Sequence, residues 1–63
     1  MEKIMEIKIS LTEKEAESLA QFLKRAGYSD YRAKSINDDE AYQMQYAGER
    51  VREALNEKGF APR

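Results

Sequence analysis

Two segments of the chain end alike: Leu23-Lys24-Arg25-Ala26-Gly27-Tyr28 and Leu55-Asn56-Glu57-Lys58-Gly59-Phe60. Each places a glycine four residues after a leucine, with an aromatic directly behind it. That is the pattern of a helix stop. Glycine, lacking a Cβ, takes left-handed backbone, and the aromatic folds back onto the leucine. Two such stops predict two helices and set where each must end. They carry no chemistry.

What precedes each stop agrees with it. Thr12 is a good N-cap, and Glu15 stands three residues on, where its carboxylate reaches back to complete a capping box. Ala16, Leu19, Ala20, Leu23 and Ala26 then recur at helical spacing, with Phe22 at the edge of the stripe, predicting a helix over 13–26. In the second half Asn37 caps, Glu40 closes the box and Ile36 is placed to staple onto Ala41. Asp38, Asp39 and Glu40 suit the positive end of the helix dipole. Met44, Ala47, Gly48, Val51, Ala54 and Leu55 form the apolar stripe of a helix over 38–58, with Pro62 barring its extension. Ahead of the first helix, Met5, Ile7, Ile9 and Leu11 alternate with Glu6, Lys8 and Ser10, the period of a strand over 4–10 with one buried face. Residues 27–36 read as irregular, with one helical turn.

The expected fold class is therefore α+β: a small β-α-α domain of one N-terminal strand and two amphipathic helices. A lone strand leaves its backbone groups unpaired. It must pair either with residues 31–36 or with the same strand of a second chain, and the second chain is favoured. Chain size points the same way. A single domain of 63 residues buries a small core and needs a disulfide, a metal or a partner. The chain has no cysteine and no histidine, so a homodimer is the remaining device.

The same absences weigh against enzymatic activity. Nucleophilic catalysis lacks its usual cysteine or histidine, and the serines sit in no motif. Asp38, Asp39 and Glu40 are neighbouring carboxylates, but on an open helix start their plain use is capping. There is no glycine-rich phosphate loop, and no cofactor is expected. Charged residues make up 37% of the chain at a net charge of -1, which gives no overall field for nucleic acid. No apolar run approaches a membrane span or a signal-peptide core, so a cytoplasmic location is expected.

Strand, helix, helix is also the order of the ribbon-helix-helix repressors, whose paired strands enter the major groove. Residues 4–27 resemble the first half of that fold. Lys8 would then face DNA, with Lys24, Arg25, Arg32 and Lys34 as a basic patch. Against this, Glu6 shares the outward strand face, the loop between helices is long, and Asp38, Asp39 and Glu40 stand where a phosphate is normally met. A small DNA-binding regulator is the alternative reading.

The preferred candidate site lies on the second helix. At about 100° per residue, Tyr42 and Tyr46 point nearly opposite the apolar stripe, beside Glu49 and Glu53. Tyrosine offers large rigid area with a polar tip and is enriched at interfaces. Tyr42, Tyr46, Glu49 and Glu53, with Asp38 and Asp39 nearby, form a candidate partner-binding face. The plain alternative is that the tyrosines pack on the preceding loop or across the dimer.

Nearly the whole chain resembles a group of short uncharacterised proteins from proteobacterial plasmids, integrative elements and phages. The resemblance is carried by Leu19-Ala20-Gln21-Phe22-Leu23-Lys24-Arg25, Gly27-Tyr28-Ser29-Asp30-Tyr31-Arg32, Asp39-Glu40-Ala41-Tyr42 and Gly59-Phe60-Ala61-Pro62-Arg63. It implies a mobile-element setting and no particular activity. Proteins of such elements often bind a host protein, inhibitors of CRISPR-Cas and restriction among them. The expectation is a non-enzymatic protein-binding domain of a mobile element, dimeric, with a host or element-encoded protein as partner.

Overall fold

The computed structural model describes residues 3–60. Pro62, expected to bar helix extension, lies outside them. Three helices follow an extended N-terminal arm: α1 (Glu13–Arg25), α2 (Tyr28–Ala33) and α3 (Asp38–Glu57). α3 is the spine, with α1 and α2 each packed on it.

The α+β expectation is corrected. Among the described residues there is no strand and no sheet. Residues 3–12 carry no regular secondary structure and enter no ladder, and residues 31–36 belong to α2 and the turn after it. A strand exists only as part of a hydrogen-bonded ladder. The alternation of Met5, Ile7, Ile9 and Leu11 therefore buries no face, and these side chains are exposed.

The start of α1 follows its local chemistry. The Glu15 N–H donates to Thr12 Oγ1 at 3.0 Å, and the Thr12 N–H donates to Glu15 Oε1 at 2.9 Å. Two amides that a helix start leaves unpaired are thus satisfied reciprocally. The bond from the Thr12 backbone N–H, with the Thr12 hydroxyl beside it, holds the Glu15 carboxyl below its usual range. At α3 the Glu40 N–H donates to Asn37 Oδ1 at 2.8 Å. The expected box does not close: the Glu40 carboxylate reaches one residue past the Asn37 amide and accepts from the Ile36 N–H at 3.1 Å. Ile36 itself points to solvent and staples nothing.

The two glycine stops part company. Gly59 has φ 98°, the left-handed value, and is the positive-φ residue of the described chain. The Phe60 N–H donates to the Leu55 carbonyl at 2.9 Å and the Gly59 N–H to that of Asn56 at 3.0 Å, which completes a Schellman cap. Phe60 packs on the core beside Leu55. Gly27 instead has extended backbone and starts the next helix. Its N–H donates to Asp30 Oδ2 at 2.8 Å, and its carbonyl accepts from the Asp30 and Tyr31 amides. Asp30, three residues on, competes for the glycine amide, so the chain turns directly into α2. Tyr28 then packs on Tyr42 rather than folding back on Leu23.

The core is small. Ala16, Ala20 and Leu23 of α1 meet Leu55 of α3, with Leu19 and Phe60 against them, and Ala41 is buried under α2's side of α3. Alanines let the helices approach closely; the two leucines supply most of the apolar burial, at about 1.5–3 kcal/mol each. The inward face of α3 runs through Ala41, Gln45, Gly48, Arg52 and Leu55. It is turned about 75° from the stripe expected from the apolar pattern. Ala47, Val51 and Ala54 consequently lie outside the core.

Candidate functional site

α2 is one and a half turns long and could not persist alone. It is tied to the start of α3 by Asp38. Oδ1 of Asp38 accepts from Arg32 Nε at 2.7 Å and from the Tyr28 hydroxyl at 3.0 Å. Arg32 Nη1 donates to the Ser35 carbonyl at 3.2 Å, and the Ser35 hydroxyl donates back to the Arg32 carbonyl at 3.0 Å. The turn between the helices is thereby closed on both sides. The Tyr28 hydrogen bond, with Arg32 beside it, lowers the Asp38 carboxyl below its ordinary value. Partial desolvation and the Asp38 bond raise the Tyr28 phenol. Asp38 is thus a structural clip more than a free acid. Asp39 stands exposed beside it.

The clip sets a row of aromatics. The Tyr28 and Tyr42 rings lie 5.0 Å apart, tilted by 35°. Tyr42 and Tyr46 stack at 6.4 Å and 24°. Both separations fall in the range of favourable aromatic pairs. The row is nonetheless open to solvent: Tyr42 is 46% exposed and Tyr46 56%. Spacing of four, three and four residues continues the ridge from Tyr42 through Tyr46 to Glu49 and Glu53, both exposed. Glu49 faces Arg52 at 4.0 Å, a loose contact that leaves its charge available. Tyr42 therefore does two things: it packs on α2 through Tyr28 and presents its other side outward. Tyr28 was missed by the sequence reading, which assigned it to the helix stop.

The basic residues fall at different places. Arg32 is committed to Asp38. Lys24 and Arg25 are exposed at the end of α1, with Arg25 Nη2 donating to Gln21 Oε1 at 3.4 Å. Arg25 and Lys34 border one shallow groove, floored by Phe22, Ala26, Tyr31 and Met44. Lys8 stands on the arm, at a different groove. Among the described residues no three Asp or Glu side chains converge to hold a metal ion, and no buried side-chain polar atom lacks a partner. No helix among them is long and apolar enough to cross a membrane.

A family model described as a family of unknown function, DUF7706, matches residues 1–63. The chain belongs to that family. No curated protein and no solved structure matches it. Membership in DUF7706 agrees with the resemblance to uncharacterised proteins and assigns neither an activity nor a genetic setting. The tyrosine ridge and the Asp38 clip of this DUF7706 chain therefore have to be read from their own chemistry.

Proposed function

We propose that this DUF7706 protein is a small non-enzymatic protein-binding domain that presents the ridge of Tyr28, Tyr42, Tyr46, Glu49 and Glu53 to a partner protein. The observation that carries this is the exposed, stacked tyrosine row, fixed in place by Arg32 and Tyr28 on one Asp38 oxygen. Ordering the rings before contact reduces the entropy cost of binding, and tyrosine pairs broad apolar area with a hydrogen-bonding tip. Asp39, Glu49 and Glu53 at the margins favour a partner surface that is basic around an apolar centre. The resemblance to proteins of plasmids, integrative elements and phages makes a host defence complex, CRISPR-Cas or restriction, the first class of partner to test in a cytoplasmic setting. Self-association belongs to the same reading, since a chain of 63 residues without cysteine or histidine has no other common staple.

The test is a tagged pull-down from a proteobacterial lysate, run with and without nuclease. A stoichiometric protein that survives nuclease and fails to bind the Tyr42→Ala/Tyr46→Ala variant supports the reading. Recovery of specific DNA, lost on nuclease treatment and on Lys8→Ala, would replace it with the regulator alternative, in which Lys24, Arg25 and Lys34 also face nucleic acid.

A further inference from the structure

The arm and the outer edge of α3 together form an open apolar groove. Ile7, Ile9 and Leu11 make one wall, and Val51, Ala54 and Phe60 the other. In the single chain Ile7 is 77% exposed, Ile9 65% and Val51 39%. Resting on the self-association proposed above, we infer that this groove is the dimer contact, the arm-and-α3 face of one copy closing on the same face of a second.

The surface left uncovered is large enough for a second copy. The chain exposes 5830 Å². A compact monomer of 7.3 kDa exposes about 4,200 Å². The excess of about 1,600 Å² is roughly twice what one partner contributes to a standard interface, and falls in the range of obligate homodimers. Apolar side chains lie exposed along the arm and along the strip of Ala47, Val51 and Ala54 that the turn of α3 leaves out of the core.

Charge is compatible with a second copy. Lys8 and Lys58 border the groove, and so does Glu13. A two-fold contact places each surface against itself, so Glu13 of each copy is able to meet a lysine of the other. The tyrosine ridge stays clear of it. On α3 the apolar strip and the ridge leave the helix axis about 140° apart, so a dimer presents two free ridges.

Ile7→Asp and Val51→Asp test the surface by sedimentation equilibrium at micromolar concentrations. The wild-type protein is expected at the mass of two chains, with a Tm that rises with concentration. Both variants are expected at the mass of one, and Tyr42→Ala/Tyr46→Ala at the mass of two. A wild-type dimer that survives both aspartates overturns this surface while leaving self-association standing. A wild-type monomer overturns both, and hands the groove to another partner. A second measurement needs no destabilising change: a spin label on Ser10→Cys in one chain, mixed with isotope-labelled wild-type chain. Broadening at the Val51 and Ala54 amides of the labelled chain supports the contact; broadening confined to α2 overturns it.

Discussion

The Tyr31 hydroxyl lies against Gly48, in the space that a Cβ there would occupy. The ring carbon Cζ is 3.2 Å from that position, and a Leu23 methyl 3.5 Å from it. Glycine inside a helix costs about 1 kcal/mol relative to alanine. Here it lets the end of α2 seat on the middle of α3, against the side of Leu23. Gly48→Ala gains the helix term and meets an overpacking cost of about 1–3 kcal/mol. The expected result in urea denaturation is a net loss of about 1 kcal/mol. In a Tyr31→Phe background, which removes the hydroxyl, the same substitution is expected to be neutral or stabilising.

At the far end of α3, Gly59 holds φ 98° with open space around it. Sterics with neighbours therefore play no part in its selection; only backbone conformation does. Gly59→Ala is expected to cost about 1 kcal/mol through the left-handed penalty. Gly27→Ala is expected to cost less, since Gly27 has extended backbone and a Cβ there meets only Asp30 Oδ2 at 3.9 Å. Thermal melts of the two variants side by side check the difference between two stops that look alike in sequence.

That difference shows where the sequence was legible. Short-range chemistry carried through in the Thr12 and Glu15 box, the Asn37 cap on the Glu40 amide, and Gly59 with Phe60, all settled within five residues of chain. The strand was misread because alternation records which side of a segment is apolar, and says nothing about whether a ladder partner exists. α2 was read as irregular because its six residues lack an apolar period; it is held by Gly27, Asp30 and the Asp38 clip. The inward face of α3 was displaced because Gln45 and Arg52 are half-buried along their stems, while Ala47 and Val51 lie outside. Of the candidate face, the exposed positions of Tyr42 and Tyr46 followed from spacing. The contribution of Tyr28 did not, since it depends on the turn that brings α2 back to α3.

Asp38 and Glu15 give the fold a sensitivity to acid. Both carboxyls are lowered, Asp38 by its bonds from Tyr28 and Arg32 and Glu15 by the Thr12 backbone. A depressed carboxyl contributes stability that is fully present above its unfolded value, about 4, and is lost as pH falls through the folded value. Helical circular dichroism is expected to hold from pH 7 to 5 and to decline below about pH 4. Asp38→Asn is expected to be less stable at neutral pH and to show a smaller decline, with Glu15 supplying what remains. An unchanged acid profile would detach the clip from stability.

Removing the α1 cap isolates that contribution. Thr12→Ala deletes the acceptor for the Glu15 amide and is expected to cost about 1 kcal/mol. Urea denaturation followed at 222 nm checks it, and Thr12→Ser is expected to restore most of the loss.

Whether the ordered tyrosine ridge binds a protein is decided by the double variant Tyr42→Ala/Tyr46→Ala. Its affinity for the nuclease-resistant partner captured by the wild type is measured against its helicity in the same buffer. At least about a tenfold loss of binding with wild-type helicity is expected. Undiminished binding by a folded variant, or unfolding of the variant, would contradict it: the first places the interface elsewhere, and the second makes the tyrosines core.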